Sequence, residues 1–188
     1  MPNNADYKPP KWITILILTW FFLGCLPILA LAFGFRFLPS PEWVQNTRLI
    51  AALAAFGTAA LMLVLLRIGH KKQKPEGGMI KIVGMYLVAV FLFSPAVGAS
   101  AIAATGPMLV AIVAGSQSSL TYTVADASQS GSYKCRRPIK LTEAPFLFNL
   151  VCGTSQAFQL GVSKEDFVLV TGHGTRWGLF PRTISMTD

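Results

Sequence analysis

The sequence predicts an integral membrane protein with three transmembrane α-helices and then a small C-terminal antiparallel β domain, an SH3-like or OB-like barrel or curled sheet. The composition indicates a membrane protein, because 53% of the residues are hydrophobic, 13% are charged, and the mean hydropathy is +0.53. Three apolar segments are each long enough to cross a bilayer core, which needs about 20 helical residues. Beyond Gly115 the apolar period shortens from helical to alternating, which is typical of half-buried strands.

The first two apolar segments are predicted to be ordinary membrane spans. Segment 13–35 has no charged residue and is dense in Ile, Leu and Phe. A cleaved signal peptide is the alternative, because two lysines precede the segment and Pro27 interrupts it. However, its apolar core is longer than the ~7–15 residues of the apolar region of a signal peptide, and no Ala-x-Ala site precedes a hydrophilic mature domain. The second segment, 49–66, is bounded by Arg48 and Arg67.

The third apolar segment, 82–114, is too long for one ordinary crossing and too short for two crossings with a turn. Proline removes a helical hydrogen bond and clashes with the preceding turn, so bends are expected at Pro95 and at Gly106-Pro107. We predict a transmembrane helix over 82–104. The apolar remainder either continues it as a kinked extension or lies at the membrane surface.

Lysine and arginine in the short loops predict the orientation, because cytoplasmic loops carry the excess of these residues. The N-terminal tail carries two lysines, and loop 36–48 carries only two arginines. Loop 67–81 is more basic and has one acidic residue, Glu76. Two crossings separate the tail from this loop, so both are predicted to be cytoplasmic. The opposite orientation would translocate the five cations of the loop, which are Arg67, Lys71, Lys72, Lys74 and Lys81.

This topology predicts a multi-pass protein of the plasma (inner) membrane with a cytoplasmic N-terminus and an extracytoplasmic, periplasmic C-terminal domain. The outer loop contains two prolines and several large apolar residues, so we expect it to lie along the interface. The predicted divisions are a tail (1–12), helix 1 (13–35), an outer interfacial loop (36–48), helix 2 (49–66), a basic cytoplasmic loop (67–81), helix 3 (82–104), an apolar interfacial segment and linker (105–118) and the β domain (119–188).

Small residues recur at every fourth position in the second and third spans. Such spacing lets helix backbones approach closely, which is how membrane helices associate. The pattern indicates either an interface with a partner membrane protein or packing among the three helices of this chain. The residues are Ala51, Ala55, Ala59, Ala96, Ser100 and Ala104.

Several short strands are predicted in the C-terminal region, because β-branched and aromatic residues alternate between glycine and proline breaks. Gly172-His173-Gly174 is interpreted as a hairpin turn between the last two strands. An alternative function for these glycines is to hold an anion on backbone N–H groups. The strand candidates are 120–124, 133–141, 146–152, 167–171 and 177–186.

Cys135 and Cys152 are predicted to form a disulfide, because they lie on neighbouring strand candidates in a segment placed outside the cytoplasm. A domain of this size buries too little apolar surface to be stable without such support. A redox-active pair is the alternative, since Arg136 and Arg137 adjoin Cys135, although no Cys-x-x-Cys motif is present. Cys25 is interpreted as an apolar filler of the first span.

The two histidines, His70 and His173, are predicted to lie on opposite sides of the membrane, which argues against a shared metal site or triad. No catalytic motif and no cofactor motif is evident, so neither is expected. Basic residues of the β domain are candidates for contact with an acidic partner or anion, or form the solvated edge of a strand. These candidates are Lys134, Arg136, Arg137, Lys140, His173 and Arg176.

The net charge of +8 is interpreted as a topology signal, with contact to anionic membrane lipid, rather than as a sign of nucleic-acid binding. The favoured function is a non-catalytic bacterial-type inner-membrane protein whose β domain binds another membrane or periplasmic protein. Such a protein would be an accessory subunit of an envelope or transport complex, or an immunity or exclusion factor, and homo-oligomers are compatible with it. The alternative is a thiol-redox or other enzyme component that acts at the outer face of this same membrane.

Overall fold

The computed structural model describes residues 10–72, 84, 88–131, 135–145 and 147–187, with the backbone alone at 68–72 and 89. In this part of the chain, three helices are long and apolar enough to span a membrane by length and composition. They are followed by a curled antiparallel sheet. These features confirm the predicted fold class at that level. The candidate spans are Lys11–Ala32, Pro41–Arg67 and Val90–Ala114.

Helix α1 (Lys11–Ala32) ends in a glycine cap. The N–H of Phe35 donates to the carbonyl of Ala30 at 2.9 Å, and the N–H of Gly34 donates to Leu31 at 3.1 Å. Gly34 has φ +88°, a left-handed conformation that glycine adopts without steric cost. This Schellman motif satisfies the last carbonyls of the helix and turns the chain toward the sheet.

Helix α2 (Pro41–Lys72) begins earlier than predicted. The Ser40 hydroxyl accepts a hydrogen bond from the N–H of Trp43 at 3.2 Å, as an N-cap side chain does. Pro41 suits the first helical position because its nitrogen has no hydrogen to leave unpaired. The predicted loop 36–48 is therefore wrong in its second half, where capping by Ser40 starts a helix ahead of the apolar run.

The third helix consists of four consecutive segments. These are a π-helical turn (Val88–Phe93), α3 (Ser94–Ser100), a second π-helical turn (Ala101–Thr105) and α4 (Gly106–Ala114). Each π turn directly precedes a segment whose first or second residue is a proline, Pro95 or Pro107. The wider turn accommodates a residue that cannot donate to the helical ladder. The apolar segment after 104 thus continues as helix.

The third helix packs against both α1 and α2 through glycines. A Cβ atom at Gly24 of α1 would clash with the side chain and carbonyl of Val97. A Cβ atom at Gly98 would clash with the carbonyl of Ala54 and the hydroxyl of Thr58 in α2. Glycine therefore permits the close backbone approach at both contacts.

Hydrogen bonds between helices reinforce this packing. The buried Ser100 hydroxyl donates to the carbonyl of Gly24 at 2.6 Å. The Thr105 hydroxyl donates to the carbonyl of Leu23, also at 2.6 Å. The indole of Trp20 donates to the Thr58 hydroxyl at 3.0 Å. The bundle thus combines small residues with polar side chains that have a partner on a neighbouring helix.

The C-terminal region and strand β1, which lies between α1 and α2, form a curled, six-stranded half-barrel in the order β1-β6-β5-β2-β3-β4, and every neighbouring pair is antiparallel. Its interior is filled by apolar side chains from all of the strands, among them Tyr122, Val168 and Leu179. The short helix α5, capped by the Ser155 hydroxyl, covers part of this interior with Phe158. The strands are β1 (Leu38–Pro39), β2 (Ser116–Asp126), β3 (Ile139–Leu141), β4 (Leu150–Val151), β5 (Phe167–Thr175) and β6 (Gly178–Met186), and α5 is Gln156–Gly161.

Strand β1 comes from the segment between α1 and α2, which the sequence analysis interpreted as an interfacial loop. Leu38 pairs with Leu179 of β6, and the N–H of Ser40 donates to the carbonyl of Trp177 at 2.9 Å. The hydroxyl of Tyr122 lies 3.2 Å from the carbonyl oxygen of Pro39. The interpretation as a loop along the membrane interface therefore needs correction for 37–40, which is buried because it completes the sheet.

Two further predictions in this region need correction. The linker expected at 115–118 is mostly strand, because β2 begins at Ser116 and pairs with β5 from its first residue. The turn expected at 172–174 lies instead at 176–177, and both glycines belong to β5. A Cβ atom at Gly172 would clash with the carbonyl of Phe180, so this glycine allows close strand pairing rather than a turn.

Two of the predicted strands are much shorter than expected in the described residues. Only Ile139–Leu141 of 133–141 and Leu150–Val151 of 146–152 are paired as strands. Pro138 precedes the first of these, and proline cannot donate to a ladder. The strands predicted at 120–124 and 167–171 are present and longer than predicted, and the strand predicted at 177–186 is present from Gly178. Residues 132–134 and 146 lie outside the described part of the chain.

Candidate functional site

The predicted disulfide is present between Cys135 and Cys152, whose Cα atoms are 5.1 Å apart. Two hydrogen bonds flank it. The N–H of Gly153 donates to the carbonyl of Arg136 at 2.8 Å, and the Thr154 hydroxyl donates to the carbonyl of Arg137 at 2.8 Å. The bridge therefore fixes the chain after β4 to the segment that leads into β3.

The basic candidates do not form one cluster. Arg136 and Arg137 are exposed in the bend after Cys135, whereas Lys140 is in β3, opposite Asp126 of β2. Lys134 lies outside the described residues. His173 and Arg176 belong to the β5–β6 hairpin, and β2 separates β5 from β3 in the sheet.

His173 and Arg176 lie near the helical bundle. His173 is half-buried in β5, and a Cβ atom on Gly115, just after α4, would approach its Nε2 atom to 2.8 Å. The guanidinium of Arg176 lies 5.4 Å from the ring centroid of Trp177, a cation–π contact. Trp177 also contacts Trp43 of α2 at 5.6 Å between ring centroids. These residues thus join the β5–β6 turn to the start of α2.

The other predicted residues are placed on the helices. Arg67 is exposed on α2, and the backbone of Lys71 and Lys72 continues that helix, while Lys74 and Lys81 lie outside the described residues. Ser100 and Ala104 are buried in the third helix. The remaining small residues, Ala51, Ala55, Ala59 and Ala96, are half-buried.

A groove of about 520 Å³ lies where the half-barrel is open, between the edge of β4 and the edge of β6. We call it the seam groove. Its walls come from the end of α1, from the chain after β4 with α5, and from β6. It is lined by Gly34, Phe35, Arg36, Val151, Cys152, Gly153, Thr154, Ser155, Phe158, Phe180, Pro181, Arg182, Thr183 and Ile184.

The β6 edge facing this groove has free backbone groups. The N–H of Thr187 donates to the carbonyl of Phe167, so this pair is of the hydrogen-bonded type. Pair types alternate in an antiparallel ladder, and Ile184 and Met186 are therefore in pairs whose N–H and C=O groups point away from β5. No described strand pairs with this edge beyond Leu179.

Pro181 explains why β1 does not continue along β6. Strand β1 pairs with Gly178 and Leu179 only. The next β6 residue to face that side is Pro181, which has no N–H to donate. The chain at Arg36 and Phe35 therefore leaves the sheet at this point, and the rest of the β6 edge borders the groove.

Two arginines give the seam groove a positive charge. Arg36 is half-buried, and its Nη1 atom donates to the carbonyl of Leu150 on the open edge of β4 at 3.4 Å. Burial lowers the pKa of its guanidinium, which stays protonated at neutral pH. Arg182 is exposed on the β6 side, and no aspartate or glutamate lines the groove. The site therefore favours anionic groups.

Two kinds of reactive side chain can be placed among the described residues. No three His, Cys, Asp or Glu side chains among them lie close enough together to hold a metal ion. Cys152 lines the groove, but it is joined to the buried Cys135. The seam groove was missed in the sequence, although Pro181 and Arg182 in the last strand carry a signal, since both residues are typical of open strand edges.

Comparisons with known proteins give no assignment, because no protein family model, curated protein or solved structure matches this chain.

Proposed function

We propose that the protein is a non-catalytic component of the plasma (inner) membrane whose extracytoplasmic β domain binds another protein. In this proposal it acts as an accessory subunit of an envelope or transport complex, or as an immunity or exclusion factor. The observation that carries the proposal is the open half-barrel. Its two free edges face each other across a groove that carries two arginines and no carboxylate.

The proposed topology rests on the charges and on the position of the sheet. The ends of α1 and α4 and the start of α2 all meet the β domain, so loop and domain lie at one end of the bundle. Three membrane crossings would place this loop and the β domain on the same side of the membrane. The basic segment 67–81 follows the opposite end of α2, which supports a cytoplasmic location for that end. The disulfide supports an oxidising compartment for the domain.

The direct packing of the domain on the helices supports recognition rather than transport. Strand β1, the Trp43–Trp177 contact and the packing of α4 on β5 hold the sheet directly on the helices. A binding surface fixed at one height above the lipid suits the capture of another envelope protein. No charged residue occurs within the apolar core of any candidate span, and such residues usually mark translocation paths.

Co-purification tests this function. The tagged full chain is extracted from native membranes in a mild detergent, and the proteins that co-elute are compared with those from an unrelated tagged three-helix protein. The expected result is a specific partner in stoichiometric amount. Recovery of the chain alone, as a monomer or as a homo-oligomer, counts against the accessory-subunit proposal.

A thiol-redox role is the second candidate, because Cys152 is half-buried and lines the groove. Alkylation followed by mass measurement separates the two candidates. A structural disulfide stays closed in mild reductant, so only Cys25 is open to alkylation after unfolding. A pair that opens readily and reacts at Cys152 supports redox chemistry.

A further inference from the structure

We propose that the seam groove binds an extended acidic segment of the partner protein, which adds as a strand to the free edge of β6. This inference rests on the proposed function, because it names the surface of the β domain that binds. It commits to a polypeptide in extended conformation whose side chains alternate between apolar and acidic. Such β-strand addition takes its affinity from main-chain hydrogen bonds and its specificity from side-chain pockets.

The main-chain part of the proposal follows from the register of β6. Ile184, which lines the groove, directs its N–H and C=O away from β5, and Met186 does the same one pair further on, beyond the groove lining. A β-bulge at Arg182 interrupts the ladder, so the regular edge runs from Thr183 to Met186 and is about 14 Å long at ~3.4 Å per residue. That length accommodates an added strand of about four residues.

The geometry of β1 indicates where the added strand would lie. Strand β1 already occupies the same edge of β6 at Gly178 and Leu179. Its chain departs at Arg36 because Pro181 cannot donate. The added segment would therefore follow β1 along one line, and the gap between β6 and β4 would be narrowed or closed.

The side-chain part follows from the lining. Phe158, Phe180 and Ile184 give the groove an apolar wall, while Arg36 and Arg182 lie on either side of it. A strand with only apolar side chains would leave these arginines without an anionic partner, and a strand with basic side chains would be repelled. Successive side chains of an extended segment point to opposite faces. Such a segment can place apolar side chains against the apolar wall and acidic side chains against the arginines.

A lipid headgroup is the competing occupant, since Phe35 is exposed at the end of α1 beside the groove. A headgroup would bind the arginines, but it would not form main-chain hydrogen bonds with the outward-facing N–H and C=O groups of Ile184. The free strand edge therefore favours a polypeptide. A peptide probe without backbone N–H donors distinguishes the two occupants, because only strand addition needs those donors.

The test uses the full chain in micelles of a zwitterionic detergent and three fluorescent heptapeptides, followed by fluorescence anisotropy. The first alternates Glu and Val, the second alternates Lys and Val, and the third is the Glu/Val peptide with alternate backbone nitrogens methylated. We expect saturable binding of the first, with at least tenfold weaker binding of the other two. Amide hydrogen exchange at Ile184 should slow when the first peptide binds.

Two variants of equal charge change locate the site. Arg182→Glu places an acidic group in the groove and should weaken binding of the Glu/Val peptide at least tenfold. Lys164→Glu makes the same change of charge at an exposed position in the turn before β5, outside the groove lining, and should alter binding less than threefold.

The proposal is overturned if the Glu/Val peptide does not bind saturably, if the Lys/Val or methylated peptide binds equally well, or if Arg182→Glu has no effect. Displacement of the peptide by an anionic phospholipid at equimolar amounts assigns the groove to a headgroup and also overturns it. A partner that co-purifies equally with wild type and Arg182→Glu refutes the groove while the proposed function stands. Absence of any partner refutes the proposed function, whatever the peptides do.

Discussion

Leu38, which follows the first helix, forms a cross-strand pair with Leu179 in the last strand of the chain. The pair makes the segment between α1 and α2 a part of the β domain rather than a linker. Tyr122 lies across the same junction, and its hydroxyl is buried within 3.4 Å of the carbonyl oxygen of Leu38 and 3.2 Å of that of Pro39. Burial raises the pKa of the Tyr122 phenol, so it remains a hydrogen-bond donor at physiological pH.

Replacement of Tyr122 by phenylalanine tests this junction. We expect Tyr122→Phe to lower the free energy of unfolding by about 0.5–1.5 kcal/mol, since one hydrogen bond is lost and the ring still packs. Chemical denaturation in one detergent measures the difference. Thr121→Val, which removes an exposed hydroxyl from the same strand, is the control. Equal stability of Tyr122→Phe and wild type would show that the hydroxyl does not hold β1.

The closest helix contact gives a second prediction. Gly98→Ala should destabilise the bundle, because the added methyl group would clash with the backbone of Ala54 and with the Thr58 hydroxyl. We expect a loss of about 1–3 kcal/mol, typical of overpacking. Thermal unfolding in detergent provides the measurement.

Gly57→Ala is the matched control, because a Cβ atom at Gly57 meets nothing within 4 Å. Alanine favours helix over glycine, so this variant should be neutral or slightly more stable. If both glycine variants have the same Tm, the tight contact between α2 and the third helix is not important for stability.

The disulfide gives a third prediction. Its two cysteines are separated by 17 positions, and closing a loop of this size contributes about 3 kcal/mol in the chain-entropy account. The double variant Cys135→Ser/Cys152→Ser should lose about that amount and become sensitive to protease in the segments around both positions. Cys25→Ala leaves the bridge intact and should keep wild-type protease resistance. An equally resistant double variant would contradict the supporting role of the bridge.

Asp126 gives a prediction on pH. The side chain and the N–H of Ser128 both donate to the Asp126 carboxylate at 2.7 and 2.8 Å, and these hydrogen bonds lower its pKa, with a smaller contribution from Lys140. A lowered pKa in the folded state means that the contribution to stability is present above the ordinary pKa, ~3.9 for Asp. It is lost as the pH falls through the lower folded value.

Carboxyl carbon shifts in an NMR titration measure this pKa. Ser128→Ala should raise the pKa of Asp126 toward the ordinary value, because both the hydroxyl donor and the turn that presents the N–H are weakened. Ser130→Ala, an exposed serine of the same turn region, should leave the Asp126 titration unchanged. A pKa that is identical in Ser128→Ala and wild type would rule out Ser128 as the cause.

The orientation gives a fifth prediction. A reporter that is active only in the periplasm, fused after Asp188, should be active, and the same reporter inserted in loop 67–81 should be silent. The physical reason is the retention of loop 67–81 and its lysines on the cytoplasmic side. Activity in the loop fusion and silence in the C-terminal fusion would reverse the orientation and remove the support for an oxidising compartment.

The helices and the disulfide could be predicted from the sequence because their signals are local or compositional. A long run without charge predicts an apolar helix wherever it occurs, and Pro95 and Pro107 mark the two places where the third helix changes its hydrogen bonding. The alternation in 120–124 likewise indicates a strand. These features depend on neighbours within a few positions of the chain.

The sheet order and the seam groove could not be predicted because they depend on distant pairs. Two residues, Leu38 and Pro39, are too few to show a strand period, and only their partners in β6 make them a strand. Gly172 and Gly174 look like turn residues in the sequence, whereas in the structure their small size serves strand contacts. Arg36 and Arg182 become neighbours of one groove only after the sheet has curled.

The pairing of Leu38 with Leu179 also sets the order in which the protein can be assembled. Strand β1 emerges from the ribosome before α2 and the third helix, whereas β6 emerges after both. Contacts between such distant parts of a chain form late, because a long loop must close first. The sheet is therefore completed only after all three helices have been synthesised, and β1 waits unpaired until then.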